Sequence, residues 1–314
     1  MPLVSVIMPS YNHERYISEA IESVLNQSFS DFELIIIDDA SKDKSKEIIK
    51  AYEEKDSRIR AIFHNENKGI AKTMNEGLEE AEGKFIALFA SDDVWVKEKL
   101  EKQLKVLKKN EDLVVWSEGL VIDSEGKPTG ETFTQKHGAL KRKKSGDIFE
   151  ELLKGNYICG QSVILKRENL EGIRYDEQLK YLNDYKFMVD LARRYEFYFI
   201  PEPLVMYRIH GKNAILSDKA GWANDQILIG EYFLQKYGNE ISNKIKSKIL
   251  LSVSSGYSYI GERAKARQYV YHAIKHNPFH RANLLYLFIA LTNEDGHIRK
   301  FLRGIYQRYK RYKK

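Results

Sequence analysis

The sequence has a single cysteine, Cys159. It therefore has no intrachain disulfide framework, which favours a reducing compartment. Its longest late apolar run, residues 284–291, is too short to cross a bilayer as a helix. The amino terminus enters a strand pattern at once, so no signal peptide is expected. No G-x-G-x-x-G follows the first strand, which removes support for a dinucleotide fold of the usual kind. No G-x-x-x-x-G-K-S/T occurs, which argues against a P-loop NTPase. No nucleic-acid-binding module is recognisable. Acid is absent from residues 296–314, which carry eight Lys or Arg residues in a chain of net charge +6. That tail suggests an anionic partner surface.

What is present is a soluble, globular composition over 314 residues, enough for one large domain or two. The 20 tyrosines suit a sugar-binding or wet interfacial surface without establishing one. Apolar runs at residues 4–8 (VSVIM), 33–37 (ELIII), 59–63 and 85–89 (FIALF) read as buried strands. Between them, residues 14–26, the segment after Asp43 and residues 70–81 read as helices with one apolar face. The alternation predicts a parallel sheet with right-handed crossovers.

The strand ends carry the chemistry. The first ends in Pro9-Ser10-Tyr11-Asn12, the second in Asp38-Asp39 and the fourth in Ser91-Asp92-Asp93. In an open parallel sheet these ends share one edge, where ligands bind. Adjacent carboxylates repel and need a compensating cation or hydrogen-bond donors. A Mg²⁺ or Mn²⁺ ion carrying a phosphorylated substrate meets that need. Alone, Ser-Asp-Asp is equally a helix cap before the charged helix 97–109, whose Leu100, Leu104 and Leu107 turn inward. Residues 113–116 and 120–122 read as two strands closed by a turn at 124–127. Residues 129–145 read as a mobile basic loop near the acceptor side, or a solvated loop with no binding role. A helix starts near Asp184, and a strand at 204–209 leads into His210. Beyond Ala220 the texture turns helical, with one tetratricopeptide-like unit at 261–278, too little to stand alone as a repeat fold.

The segments VSVIMPSYN, ELIIIDDASKD, NKGIAKTMNEGLEEAEGKFIALFASDD and NDYKFMVDLARR together resemble family 2 glycosyltransferases of the GT-A fold. The pattern is close to bacterial polysaccharide and spore-coat transferases and covers about the first two thirds of the chain. It implies an α/β fold: a Rossmann-like, mostly parallel mixed sheet flanked by helices. Residues 1–219 would be catalytic, with a nucleotide half (1–95) and an acceptor half (96–219). Residues 220–314 would form a helical appendage packed on them.

The resemblance also implies an inverting transfer from a nucleotide-diphosphate sugar, UDP by family habit, to a hydroxyl acceptor. That acceptor would belong to a cell-surface polysaccharide, glycan or glycolipid. Pro9, Tyr11 and Asp39 match base-binding positions. Tyr11 offers a stacking face and Asp39 an acceptor for a pyrimidine N3–H. Lys68, Lys72 and Asp92 would contact the nucleotide. Asp93 would ligate Mn²⁺ or Mg²⁺, with His210 completing the shell, and Ser91 replaces the first acid of a strict D-x-D. Arg208, in a Tyr-Arg-x-His segment, would meet the diphosphate. Asp184 would be the general base, with Asp176 and Glu177 as local competitors and a plain helix cap as the alternative. The Gln-x-x-Arg-Trp pattern of processive members is absent, favouring single addition. A nucleotidyltransferase and a silent transferase-fold binding protein are the competing readings. On a helix the tail would group Leu302, Ile305, Tyr306 and Tyr309 between flanking cations. It would then seat the enzyme peripherally on the inner face of the cell membrane, among lipid-linked acceptors; the alternative is a solvated helix packed on the appendage.

Overall fold

The computed structural model describes residues 1–211 and 218–277. The chain divides into two compact units, Met1–Ser217 and Asp218–Lys314.

The first unit begins with β1 (Val4–Ser10), α1 (Ile17–Leu25), β2 (Phe32–Asp38), α2 (Ser45–Glu53), β3 (Ile59–Phe63), α3 (Ile70–Glu80) and β4 (Phe85–Leu88). The strands lie in the order β3-β2-β1-β4, all parallel. Val4, Val6, Ile7 and Met8 of β1 and Leu34–Ile37 of β2 are buried on both faces, as a sheet covered by helices requires. Because the strands are parallel, Ser10 pairs with Asp38, and the polar ends of β1, β2 and β4 reach the same edge. Gly77 lets α3 sit close to the sheet. A Cβ there would lie 2.5 Å from Ile7 Cγ2.

Next come β5 (Val94–Trp95), α4 (Lys99–Leu107), β6 (Val114–Ile122), β7 (Pro128–Thr132), α5 (Phe133–Lys136), α6 (Phe149–Leu152), β8 (Ile164–Lys166), α7 (Asn183–Ala192) and β9 (Phe197–Arg208). The nine-stranded sheet continues β4-β8-β6-β9-β5, with β7 beside β6. Strand β8 runs antiparallel to both neighbours, whereas β6 and β9 are parallel. The sheet is thus mixed, with its parallel run in the first half.

Two expectations are corrected here. The strands read at 113–116 and 120–122 are one strand, β6. Ser117 and Glu118 interrupt its apolar run, but both are buried and bonded: Ser117 N–H donates to Ser162 Oγ at 3.0 Å, and Glu118 Oε1 accepts from Thr134 N at 3.0 Å. The segment read as a loop at 129–145 contains β7 and α5. Within the basic run that follows, Arg142 lies 3.9 Å over the Tyr157 ring and Lys144 lies 4.9 Å over Phe199. The charged helix α4 also buries Lys99 completely. Its ammonium sits 3.7 Å over Trp95 and donates to Gln103 Oε1 at 2.8 Å, and burial holds it well below the usual lysine range.

In the second unit, α8 (Lys219–Tyr237), α9 (Asn243–Tyr259) and α10 (Arg263–His276) are described. Gly256 brings α9 against α8, since a Cβ there would meet Ala223 O at 2.8 Å. Among the described residues no helix is long and apolar enough to cross a membrane. The expectations for residues 284–291 and for the basic tail lie outside the described residues.

Candidate active site

At the first strand end, Pro9 and Ser10 close β1 and Tyr11 projects with 43% of its surface exposed. Asn12 adopts φ 55°, a left-handed turn that Asn tolerates. Its N–H donates to Ser41 Oγ at 2.9 Å, and its Oδ1 accepts from Lys42 N at 2.7 Å. Ser41 is in turn held by Asp38, whose Oδ1 accepts Ser41 N at 3.0 Å. The loops after β1 and β2 therefore lock each other and leave the Tyr11 ring open.

Asp39 is nearly buried beside them. Its Oδ1 accepts Lys68 N at 2.7 Å, and its Oδ2 accepts Gly69 N at 2.9 Å. Gly69 has φ 85°, which turns both N–H groups toward the carboxylate at the start of α3. The Lys68 ammonium reaches Glu76 Oε2 at 3.4 Å, and Lys72 is exposed on α3.

At the end of β4 the two acids diverge. Asp92 Oδ2 lies 3.0 Å from His210 Nε2 and 4.0 Å from His13 Nε2. The donor atoms of His13, Asp92 and His210 all lie within 4.8 Å of one another. His13 Nδ1 is 2.8 Å from Ser91 Oγ, which fixes the ring so that Nε2 faces Asp92. Burial holds His13 below its ordinary range, aided by His210 and opposed by Asp92 and Asp43. A neutral imidazole is the form that binds a cation. Burial alone would raise Asp92, but His210 and His13 outweigh it and hold the carboxyl below the ordinary range.

Asp93 points inward and is 1% exposed. Its Oδ1 accepts Arg208 N at 2.7 Å, while its Oδ2 has no hydrogen-bond partner among the described residues. Burial and the charge of Asp92 push it well above the carboxylate range. The acid beside His210 is Asp92, and Asp93 lies beneath it with Oδ1 on the Arg208 amide.

Arg208 is 2% exposed; Nε donates to Asp92 O at 2.8 Å, and a terminal nitrogen donates to Glu19 Oε2 at 2.6 Å. Its guanidinium lies 4.9 Å over the Tyr16 ring, on which His210 also stacks at 5.0 Å. So engaged, it braces the Asp92 backbone.

Asp184 stands in the first turn of α7. Its Oδ1 accepts Tyr185 N at 2.6 Å, and Asn156 Nδ2 lies 3.3 Å from its Oδ2. Burial pushes its carboxyl up to about 6. The local competitors are occupied. Asp176 accepts Gln178 N at 3.0 Å and pairs with Lys186 at 3.7 Å, and Glu177 meets Asn75 at 3.3 Å. Tyr207, on β9, links the two acid groups. Its phenol is raised first by burial, then by the charges of Asp93, Asp92, Cys159 and Asp184.

Sequence reasoning missed His13, Tyr16 and His64. His13 is 79 positions from Asp92 and 197 from His210, so no spacing marks the cluster. The one available signal was its place directly after the turn Tyr11-Asn12.

The mixed sheet, parallel in its first half and carrying acids at its carboxyl edge, is a GT-A fold. The model of glycosyl transferase family 2 matches residues 5–174, and the chain belongs to that family. An uncharacterized glycosyltransferase of Methanocaldococcus jannaschii is 36% identical over 220 residues, covering 69% of this chain and 74% of the relative. The Escherichia coli enzyme named UDP-Glc:alpha-D-GlcNAc-diphosphoundecaprenol beta-1,3-glucosyltransferase WfgD is 45% identical over 108 residues, covering 34% of this chain and 42% of that enzyme. Among solved structures, Staphylococcus aureus TarS 1–349 in complex with UDP-GlcNAc superposes with a TM-score of 0.65 at 20% identity, covering 87% of this chain and 81% of that one, and shows the shared fold.

Proposed function

We propose that this chain moves one sugar from a nucleotide-diphosphate sugar, UDP-linked by preference, to a hydroxyl of a glycan or lipid-linked acceptor, inverting the anomeric centre. Tyr11 stacks on the base and Asp39 accepts its ring N–H, with Pro9 shaping the turn. Lys68 and Lys72 supply positive charge at the mouth. Asp184 accepts the acceptor's hydroxyl proton as that oxygen attacks the anomeric carbon opposite the departing nucleotide. A carboxyl near 6 is basic enough to take that proton and still largely ionised at neutral pH.

His13, Asp92 and His210 would hold Mn²⁺ or Mg²⁺. Asp92 Oδ2 lies 3.0 Å from His210 Nε2 and 4.0 Å from His13 Nε2, so the three donors are close enough together to share one cation. A mixed imidazole and carboxylate set fits Mn²⁺ better than Mg²⁺. The cation would supply positive charge to the diphosphate leaving group. Ser91 orients His13, Arg208 fixes the Asp92 backbone, and Asp93 supports the loop from below.

The observation that carries the reading is the meeting of these donors from three distant segments at the strand edge that also carries Tyr11 and Asp39. The lipid-diphosphate acceptor named for the Escherichia coli relative supports a lipid-linked acceptor here and work at the cytoplasmic face of a membrane. A thermal-shift screen of nucleotide-sugars with and without Mn²⁺ tests it. A ligand that binds only the native state must raise its melting temperature. UDP-sugars that stabilise only with Mn²⁺ uphold the reading, and indifference to every nucleotide-sugar and to Mn²⁺ defeats it.

A further inference from the structure

His64 follows directly on β3 and is 6% exposed. Its N–H donates to Asp38 O at 2.9 Å, which fixes the backbone under the β2 end. Its ring bridges two acids. Nδ1 lies 2.7 Å from Asp39 Oδ1, and Nε2 lies 2.8 Å from Glu76 Oε2. The charged groups facing the ring are Asp39 from the end of β2, Glu76 from α3 and Lys68 from the loop before α3.

A carboxylate only accepts hydrogen bonds, and a neutral imidazole donates from one nitrogen only. With both acids ionised, a neutral ring would aim a lone pair at one carboxylate across less than 3 Å. Glu76 is ionised here, since His64 and Lys68 outweigh its burial and hold it below the ordinary range. Both contacts are satisfied together only by an imidazolium. The Asp39 carboxylate is then held by three donors: His64 and Lys68 N on Oδ1, and Gly69 N on Oδ2. Oδ2 keeps a lone pair for a further donor.

We propose that His64, as an imidazolium strapped to Glu76, is the positioning residue that fixes Asp39 Oδ2 for the ring N–H of the donor's nucleobase. The proposal rests on the reading of Asp39 as the base acceptor. Without the ring's hydrogen bond the Asp39 carboxylate loses one of its three donors and loosens, so nucleotide affinity falls when His64 is replaced.

Calorimetric titration of the full chain with UDP, from mildly acidic to mildly alkaline pH, tests this in the wild type, Asp39→Asn and His64→Gln. Expected is UDP binding about tenfold weaker in His64→Gln, with a pH profile that differs from that of the wild type. Asp39→Asn tests the parent reading: if it binds UDP as the wild type does, that reading fails and takes the proposal with it. If Asp39→Asn loses affinity while His64→Gln keeps wild-type affinity and pH profile, the parent reading stands and the proposal is overturned. Should His64→Gln fail to fold, nitrogen-15 NMR of the wild-type ring decides. Two protonated nitrogens at neutral pH support the strap, and a single tautomer overturns it.

Discussion

The chain places an Asp-Asp pair at the ends of two parallel strands, and the two ends behave differently. At the β2 end both carboxylates take donors from their own neighbourhood. Asp38 takes Ser41, and Asp39 takes Lys68 N, Gly69 N and His64. At the β4 end the donors are scarce. Asp93 receives one backbone N–H and leaves an oxygen without a partner, and Asp92 faces two imidazoles. As a result the two carboxyls separate, Asp92 falling below the ordinary range and Asp93 rising well above it. The same dipeptide is held by backbone amides at one end and faces two imidazoles at the other, where we propose a cation.

The strongest test comes from outside both pairs. Asp184→Asn keeps shape and removes proton acceptance, so turnover should fall about 10²- to 10⁴-fold while UDP-sugar affinity survives. In the wild type, turnover should rise with pH through about 6, because the protonated carboxyl below that point cannot act as a base. A pH profile without that limb, or loss of donor binding with normal turnover per bound donor, removes Asp184 from the chemistry.

Breaking the β4 end at its charged member should have the next largest effect. Asp92→Asn should cost about a hundredfold in turnover and abolish stabilisation by Mn²⁺. Unchanged Mn²⁺ response would return the ligand role to Asp93. Arg208→Lys tests the brace. A lysine cannot reach both Asp92 O and Glu19, so stability should drop by about 2 kcal/mol in urea unfolding. A diphosphate-binding role would instead raise KM and spare stability.

The smallest effect sharpens the contrast most. Asp93→Asn is a near-isosteric change that keeps an acceptor for Arg208 N, so stability should change by less than about 1 kcal/mol. Asp38→Asn, at the β2 end, removes an acceptor from Ser41 Oγ and should cost about 1 kcal/mol. If Asp93→Asn instead destroys Mn²⁺ binding with the fold intact, the division between the two ends fails.

Much of the first half was legible in the chain because its signals are local. An apolar run of four or five residues between turn residues specifies a strand buried on both faces. The helical spacing between such runs specifies crossovers, and parallel strands must bring Asn12, Asp39 and Asp92 to one edge. The second half was less legible. Strand β6 hides buried Ser117 and Glu118, whose hydrogen-bond partners lie beside β8 and on α5, and α4 buries Lys99 over an aromatic ring.

The sequence by itself determined the family, the strand order's parallel start and which acids stand at strand ends. Only the tertiary structure decided which donors reach each acid: that His13 and His210 converge on Asp92, that the Arg208 amide meets Asp93, and that the His64 ring bridges Asp39 and Glu76. Those outcomes depend on which donors reach a carboxylate across long separations in the chain and how much water burial removes from it. Neither quantity is written in the spacing of residues along a strand or a helix.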